Sequence, residues 1–430
     1  MTSFDSSPTL TAWRALLAVA VVFVMLATTG WTAVRHQHTA TPRDIALASW
    51  AKDRIGGHAL PDAGAPADRL ARFFASLTAG QRVALTDKYP LVVGNMNGAP
   101  VTLRYRANRR ALVAAEAEER QRTGDTRLSF DGRHQALLRL ERFRSLLAKD
   151  RQILSFDPSG RGHVAEVLGD LDRAERVSVV VPGVDTNLLT LERTGRKENA
   201  APVGMARSLY GAERSARPDT RTAVIAWADY TAPAGLGVDA ALGGLAAAGA
   251  VRLNGLLDAL PGTSTVSLFC HSYGSVLCGL AARDLPGRVS DIAVAGSPGM
   301  RADNAAGLRT GARVWAMRDA DDWIADVPNI EVGGVGHGAD PVDPEFGARL
   351  VSAQGAIGHS GYFEPGTESL SNFAAIGVGA YDSVSCASVE EACRNETPAV
   401  CVPDARRARR TACGHPVNVP IGNAHHQGAT

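Results

Sequence analysis

The residues with the clearest chemical signature form the string Cys270-His271-Ser272-Tyr273-Gly274, which directly follows a predicted strand at 264–269. An Ala- and Leu-rich segment comes next, so the pattern predicts a strand, a sharp turn and a helix. In this setting, called a nucleophile elbow, the serine oxygen is held clear of the sheet. The tight turn requires small residues two positions before the serine and two positions after it. Gly274 meets that need, and Cys270 stands where glycine is usual. We predict that Ser272 is a nucleophile; an ordinary helix-capping serine is the alternative.

A serine hydroxyl is a poor nucleophile at neutral pH and needs a base that is oriented by an acid. With an elbow of this kind the chain order is serine, acid, histidine. An acidic string follows the predicted strand at 314–317, and within it Asp322-Trp323-Ile324 has the D-x-I form that often follows such strands. We therefore predict Asp322 as the acid and keep Asp319 as the alternative acid. The alternative is that this acidic string is a solvated loop with no catalytic role.

Two histidines downstream compete for the role of base. His359 lies ahead of a predicted final helix that begins near Ser369, and the base normally comes from the last loop before that helix. His337, in the string Gly-His-Gly-Ala-Asp-Pro, is the alternative base, or a residue that shapes the substrate cleft. His271, inside the elbow, is expected to pack or hydrogen-bond beneath the turn.

A developing oxyanion needs two backbone N–H donors. One prediction is the N–H of Tyr273, which follows the nucleophile at the positive end of the predicted helix. The other is the N–H of Val184, in the Pro-Gly-Val-Asp-Thr-Asn loop after a predicted strand at 177–181. An ordinary Pro-Gly turn is the alternative for this loop.

The elements that must position these residues begin near Gln152, where predicted strands start to alternate with helices. Two strands at 153–156 and 164–168 flank a turn-rich connection, and continuous β-branched runs are typical of strands buried on both faces. The remaining predicted elements are strands at 177–181, 222–227, 264–269, 291–295 and 314–317, and a small-residue helix at 238–260. This alternation predicts an α/β fold, a mainly parallel sheet with helices on both faces.

The segment from 35 to 150 is predicted to be a helical leader that packs rather than binds. Helices are expected at 67–77, from a Thr78 cap to about 89 before Pro90, at 107–122 and at 133–149. In the last of these the predicted buried stripe consists of Leu137, Leu138, Phe143, Leu146 and Leu147.

An uncharged apolar run occupies residues 15–34, with Trp13 and Trp31 near its ends. At ~1.5 Å per residue it would be ~30 Å long, which matches the hydrocarbon thickness of a bilayer. A transmembrane anchor is predicted at 13–34, after a short tail at 1–12; a cleaved signal segment, which would leave a secreted protein, and a buried helix are the alternatives. The α/β domain is expected at 151–384 and a loop-rich tail at 385–430.

Four of the six cysteines lie in that tail, at Cys386, Cys393, Cys401 and Cys413. They form no C-x2-C pair, which argues against a zinc site, and two disulfides with three possible pairings are expected. Since disulfides persist outside the cytoplasm, this predicts an extracytoplasmic catalytic domain. Unpaired cysteines in a reducing compartment are the alternative.

Composition narrows the partners. The chain has 430 residues, 45% of them apolar and 21% charged, which is typical of a globular protein. Its net charge of 45 − 44 = +1 gives no support for nucleic-acid binding. Neither a metal site nor a cofactor is predicted, and the Gly-Ser-Pro-Gly string at 296–299 lacks the lysine of a phosphate loop.

Several motifs occur together in a fixed order, and the set is more specific than any one string. They are Val-Gly-Asn-Met-Asn-Gly-Ala-Pro at 93–100, Val-Val-Pro-Gly at 180–183, His-Ser-Tyr-Gly-Ser at 271–275, Gly-Ser-Pro-Gly at 296–299, His-Gly-Ala-Asp-Pro at 337–341 and His-Ser-Gly-Tyr at 359–362. The series, from about 67 to 378, resembles an uncharacterised bacterial α/β-hydrolase domain family whose elbow is G-H-S-Y-G-S. The resemblance implies a serine hydrolase fold with a triad matching Ser272, Asp322 and His359, and no particular substrate.

Three functional hypotheses follow. The first is a membrane-anchored serine hydrolase that cleaves a small-molecule or lipid-like ester through an acyl-enzyme. The second is a non-catalytic binding protein that retains the fold, because fold alone does not establish chemistry. The third, less favoured, is a thiol enzyme that uses Cys270 or Cys278.

Overall fold

The computed structural model describes residues 40–193, 195–387, 393 and 394. The predicted anchor at 13–34 and two of the tail cysteines, Cys401 and Cys413, lie outside the described residues. In the described part of the chain, no helix combines the length and apolar character that a membrane span requires.

An eight-stranded sheet forms the centre of the molecule. Its strands are β1 Gln152–Asp157, β2 His163–Gly169, β3 Arg176–Val181, β4 Thr222–Ala228, β5 Thr265–His271, β6 Val289–Ala295, β7 Arg313–Met317 and β8 Arg349–Leu350. They lie in the order β8-β7-β6-β5-β3-β4-β2-β1. The pairs from β8 to β4 are parallel, whereas β2 pairs antiparallel with both β4 and β1. The predicted α/β fold is therefore confirmed, with an antiparallel hairpin at one edge.

Eleven α-helices accompany the sheet in the described residues. They are α1 Pro42–Trp50, α2 Ala67–Ser76, α3 Ala79–Lys88, α4 Pro90–Val93, α5 Val101–Thr123, α6 Phe130–Leu146, α7 Pro202–Ala216, α8 Val238–Ala241, α9 Gly244–Asp258, α10 Tyr273–Ala281 and α11 Glu368–Gly377. Helices α9 and α10 cover one face of the sheet, and α7 and α11 cover the other. The central strand β3 is buried on both faces, as its β-branched run predicts.

The single helix predicted at 238–260 is instead two helices, α8 and α9. Leu242 between them has an extended backbone, with φ −98° and ψ 152°. There it forms a bridge to Val335, and its carbonyl accepts a hydrogen bond from the Tyr273 hydroxyl (2.8 Å). These tertiary contacts hold the extended conformation, which a local periodicity does not reveal.

The predicted stripe of α6 is partly wrong. Leu137 is 42% exposed and Leu138 is only half-buried, while the buried positions include Ala136 and Leu140 along with Phe143 and Leu146. Spacings of four and three residues keep these four on one face of the helix. The helix also begins three residues earlier than predicted, because Ser129 caps it through the N–H of Gly132.

The leader covers the edge strand of the sheet. Asn95 pairs with both the N–H and the carbonyl of Phe156 in β1, and Asn108 donates to the carbonyl of Ile153. Arg104 Nε donates to the carbonyl of Leu154. An uncovered edge strand exposes unpaired backbone groups to association with another chain. These three side chains satisfy that edge, which gives the asparagine-containing motif at 93–100 a structural purpose.

Candidate active site

Ser272 lies between β5 and α10 in a backbone conformation that few residues other than glycine adopt. Its φ is +56° and its ψ is −130°. The turn is tight enough that a Cβ on Gly274 would lie 2.3 Å from the carbonyl oxygen of Val181, and one on Gly183 would lie 2.6 Å from the Cβ of Ser272. Both positions therefore require glycine. Strained conformations of this kind persist where surrounding contacts hold them and are concentrated at functional sites.

A disulfide joins Cys270, at the end of β5, to Cys278 in α10. It spans the elbow and its two residues are fully buried. The hypothesis of a thiol nucleophile at either position is therefore wrong, since neither sulfur is a free thiolate. Sequence reasoning missed this pair because the spacing of eight residues becomes short only after the chain reverses through the elbow. The signal available was a cysteine at the usual glycine position with a second cysteine two turns later.

The structure brings Ser272, His359 and Asp322 into one line of hydrogen bonds. His359 Nε2 lies 2.8 Å from Ser272 Oγ, and His359 Nδ1 lies 2.8 Å from Asp322 Oδ1. A carboxylate only accepts hydrogen bonds, so Nδ1 carries the proton and Nε2 accepts from the serine hydroxyl. This arrangement suits a base that removes the hydroxyl proton.

Asp322 is fully buried and receives further hydrogen bonds. The Tyr362 hydroxyl donates to Oδ2, and the N–H of Ile324 donates to Oδ1 (2.9 Å). Burial alone raises the pKa of the Asp322 carboxyl, but the hydrogen bonds from His359 and Tyr362 outweigh it, and the pKa falls below its ordinary value. Asp322 is therefore ionised at neutral pH. Tyr362 escaped the sequence analysis, although its place three residues after His359 puts both on the same turn at 358–363.

Gly296 makes room for this pair. Its φ is +55°, and a Cβ there would lie 2.8 Å from Asp322 Oδ2 and 3.1 Å from His359 Nδ1. The Gly-Ser-Pro-Gly string at 296–299 thus serves close packing beside the histidine and the acid.

The alternative acid and base lie elsewhere. Asp319 accepts from the N–H of Gly358 (2.8 Å) and its own N–H donates to the Tyr362 hydroxyl, so it supports the loop that carries His359. His337 Nε2 donates to the carbonyl of Ala240 (2.7 Å), and its ring packs edge-on against Tyr273. Neither contacts Ser272 or the His359 ring.

His271 packs under the site. It is buried, and its Nε2 donates to the carbonyl of His359 (2.6 Å). Burial, with the nearby His359, lowers the pKa of His271 to about 4. The ring is therefore neutral at physiological pH and serves as a hydrogen-bond donor that fixes the backbone of His359.

The two predicted oxyanion donors flank Ser272. Tyr273 is the first residue of α10, where N–H groups have no partner within the helix. The N–H of Val184 donates to no acceptor among the described residues, and its neighbour Gly183 lies directly against Ser272. The loop is held by Tyr230, whose hydroxyl donates to the carbonyl of Pro182 (2.6 Å). Neither N–H donates to another group among the described residues, and their role as oxyanion donors stays a prediction.

Exposed apolar side chains come from the segments that contact the site. Trp323 lies on the His359 ring with centroids 4.6 Å apart, and Ile357, which is 82% exposed, precedes the His359 turn. Leu242, whose carbonyl accepts from the Tyr273 hydroxyl, and its bridge partner Val335 are exposed as well. We call Leu242, Trp323, Val335 and Ile357 the apolar rim. Ser272 itself is buried, at 5% exposure.

No group of three or more His, Cys, Asp or Glu side chains that could hold a metal occurs in the part of the chain that the structure describes. At the tail, Cys386 forms a disulfide with Cys393. This is one of the pairs that the sequence left open.

Comparison with known proteins agrees with the topology. Residues 157–332 match a protein family described as alpha/beta hydrolase. The fold is that of an α/β hydrolase. The match ends before His359, so this histidine lies beyond the matched segment. The narrower resemblance, to the bacterial family with the G-H-S-Y-G-S elbow, stays a prediction.

Two relatives come from Mycobacterium tuberculosis, and both are uncharacterized proteins. One is 26% identical over 385 residues, which covers 76% of this chain and 58% of the relative. The other is 35% identical over 147 residues, covering 33% of this chain and 54% of the relative. The chain thus spans little more than half the length of the curated relatives it matches.

Solved structures of hydrolases are also similar at low identity. A predicted CIB-like hydrolase from Thermoplasma acidophilum is 15% identical with a TM-score of 0.33, and the match covers 54% of this chain and 96% of that one. An α/β serine hydrolase from Xanthomonas campestris is 18% identical with a TM-score of 0.25, over 41% of this chain and 74% of that one.

Proposed function

We propose that this protein is a serine esterase that hydrolyses a carboxylic ester through an acyl-enzyme on Ser272. The observation that carries the proposal is the continuous hydrogen-bond line from Ser272 Oγ through His359 to Asp322, each step 2.8 Å long. It occurs at an elbow whose strained serine has the conformation that such nucleophiles need.

The reaction follows from that geometry. Ser272 Oγ attacks the acyl carbon while its proton passes to His359 Nε2, and Asp322 stabilises the imidazolium that forms. The N–H groups of Tyr273 and Val184 hold the developing oxyanion. As the tetrahedral intermediate collapses, His359 returns the proton to the leaving alkoxide oxygen. Water then attacks the acyl-enzyme with His359 as base, which releases the carboxylic acid and restores the Ser272 hydroxyl.

The apolar rim supports an ester with an extended hydrocarbon part as substrate. Trp323 and Leu242 contact His359 and Tyr273, and Val335 pairs with Leu242, so a hydrocarbon chain that enters beside the elbow would lie against them. Burying such a chain contributes about 0.8 kcal/mol per CH₂. We expect kcat/KM on p-nitrophenyl esters to rise as the acyl chain lengthens from acetate to octanoate.

We further propose that the domain lies outside the cytoplasm, held by the apolar segment at 13–34. The support is two disulfides, Cys270–Cys278 and Cys386–Cys393, since disulfides persist in oxidising compartments. Acid quenching of cells, followed by denaturation, alkylation of free thiols and mass analysis of the four cysteines, tests this location: alkylated Cys270 and Cys278 would contradict it.

The decisive test of the esterase proposal is labelling of the full chain with a fluorophosphonate, followed by peptide mass analysis. We expect a single adduct on Ser272, lost in Ser272→Ala and strongly slowed in His359→Gln. Ser360→Ala is the matched control, because this exposed serine is next to His359 yet outside the hydrogen-bond line. A folded wild-type protein without an adduct on Ser272 would contradict the proposal and leave a binding protein as the explanation of the fold.

A further inference from the structure

A cavity of about 340 Å³ lies between the leader and the hydrolase domain. Its walls come from α1, through Arg43, from α2 and the segment before it, from α5 and the loop before it, from β1, β2 and β4, and from α9. Ser272, Asp322 and His359 are not part of this wall. The cavity is therefore separate from the candidate active site.

Arg104 of α5 brings a buried positive charge to this cavity. It is 4% exposed, and its Nε donates to the carbonyls of Leu154 (3.1 Å) and Gly94 (3.3 Å). Of its terminal nitrogens, Nη1 reaches only the side-chain oxygen of Asn97, at 3.5 Å, and Nη2 has no acceptor among the described residues. Burial lowers the pKa of Arg104 to about 10, so the guanidinium remains charged at neutral pH.

The acidic residues of the wall leave this charge without a salt bridge. Asp229 is engaged by Arg252, which forms an ion pair with its carboxylate and donates to its carbonyl (2.6 Å). Asp258 lies at the exposed end of α9. A buried charge is costly unless an opposite charge or sufficient hydrogen bonds accompany it.

Two further donors face the same space. The register of β1 slips between Ile153 and Ser155, so that Leu154 is an extra residue and Ser155 lies opposite Ala165 of β2. Ala165 in turn lies opposite Trp227 of β4, which places Ser155, Ala165 and Trp227 in a row along the cavity wall. Ser155 is 1% exposed and its hydroxyl is buried without a partner. Trp227 lies in the same wall, and its indole N–H donates to no acceptor among the described residues.

We propose that this cavity binds an oxyanion, a carboxylate or phosphate group carried by a small molecule. The unpaired groups are a guanidinium Nη2, an indole N–H and a hydroxyl, and the first two only donate hydrogen bonds. A guanidinium favours carboxylate and phosphate oxygens in particular, because two of its N–H groups match their geometry. Water alone would satisfy the donors but would add no negative charge, and the nearby Asp229 already forms an ion pair with Arg252.

Occupation of the cavity would also join two parts of the molecule. Arg104 belongs to the leader, whereas Ser155 and Trp227 belong to the sheet. A ligand that binds only when these parts are docked stabilises the docked form by mass action.

The test is calorimetric titration of the full chain with orthophosphate and, separately, with acetate, at constant ionic strength. We expect saturable binding of at least one anion, with Kd raised tenfold or more by Arg104→Lys and by Ser155→Val. Valine removes the hydroxyl and occupies its space, and it suits a strand. The matched controls are Arg109→Lys, an exposed arginine on the same helix, and Ser159→Ala, whose buried hydroxyl lies outside the wall; both should stay within twofold of wild type.

Saturable binding of phosphate alone would identify a phosphate-bearing ligand, and of acetate alone a carboxylate. No saturable binding of either anion up to 10 mM would overturn the proposal. Equal affinity of wild type, Arg104→Lys and Ser155→Val for the anion would also overturn the proposal, because the anion would then act as a general salt. Arg104 also donates to the carbonyl of Leu154 in β1, so Arg104→Lys could fail to fold. In that case Trp227→Phe replaces it, with the same expected tenfold rise in Kd.

Discussion

The disulfide between Cys270 and Cys278 offers a direct way to ask how the strained serine is held. Replacing both cysteines by alanine removes a cross-link whose partners are eight residues apart, on either side of Ser272. We expect two separable effects, a loss of global stability and a slower reaction at Ser272. The stability loss arises because the unfolded chain gains conformational freedom, and the slower reaction arises because the elbow can relax.

The stability loss can be worked out from the loop length. In the chain-entropy description, closing a loop of this size is worth about 2.5 kcal/mol at 25 °C. The two sulfur atoms also leave empty core volume, which costs of the order of 1 kcal/mol each. For the roughly 350 residues that the structure describes, 2.5 kcal/mol corresponds to a fall in Tm of about 3 °C, and the full loss to about 6 °C.

The effect on reactivity follows from the backbone of Ser272. A residue other than glycine held in this conformation carries about 1–3 kcal/mol of strain. If removal of the cross-link lets the turn relax by half of this, the reactive conformation becomes about two- to tenfold rarer. We therefore expect the rate constant of fluorophosphonate labelling and kcat/KM on a p-nitrophenyl ester to fall by more than twofold and up to about tenfold, at a temperature where the variant is fully folded.

The second disulfide supplies a matched control. Cys386 and Cys393 are seven residues apart, so the same entropy argument predicts nearly the same contribution to stability. Because this pair lies far along the chain from the elbow, its double alanine variant should lose stability while its labelling rate stays within twofold of wild type. Equal labelling rates in both double variants and wild type would refute our reasoning and assign the elbow geometry to Gly183 and Gly274 alone.

Three further predictions test the site and its surroundings. Asp322→Asn should lower kcat about 10⁴-fold, because the amide N–H would reverse the His359 tautomer. Asp319→Asn keeps an acceptor for the N–H of Gly358 and should change kcat by less than threefold. An equal loss of kcat in both variants would contradict the assignment of Asp322 as the acid. The pKa of His271 is about 4 in the folded protein against 6.5 in the unfolded chain, so between these pH values only the unfolded state gains a proton. The free energy of unfolding should therefore fall by about 3 kcal/mol as the pH is lowered from 6.5 to 4. In urea titrations, His271→Gln should lack this dependence of the unfolding free energy on pH. Burial raises the pKa of Glu213 to about 8 from 4.5, so its contribution to stability is full below pH 4.5 and is lost as the pH rises through 8. Glu213→Gln should therefore raise Tm relative to wild type at pH 9 but not at pH 4.5. An equal shift in Tm at both pH values would count against a protonated Glu213.

Local pattern was sufficient for the elements that carry the site. A β-branched run buried on both faces, a small-residue turn and an amphipathic helix have signatures within ten residues of chain, which is why the strands from β3 to β7 lie within two residues of their predicted bounds. The elbow string belongs to the same class. The tight turn around Ser272 requires glycine at 274, and that requirement can be seen in the letters of the sequence.

Packing between distant segments escaped local pattern. The predicted stripe of α6 is right at Phe143 and Leu146 and wrong at Leu137, because the surface beneath the helix determines which face packs, and that face includes Ala136 and Leu140. The break at Leu242 and the Cys270–Cys278 disulfide each depend on partners that the chain brings close only after it turns.

The amino-acid sequence by itself determined the α/β class, the order of strands and helices, and the place of Ser272 at a turn, because each depends on neighbours a few residues away. Only the tertiary structure decided which of two histidines contacts that serine and which of two acids contacts the histidine. His359 and Asp322 are 37 positions apart along the chain and His359 and Ser272 are 87 apart. Contacts of that separation arise from the twist of the sheet and the paths of its loops, and side-chain spacing along one strand or helix carries no record of them.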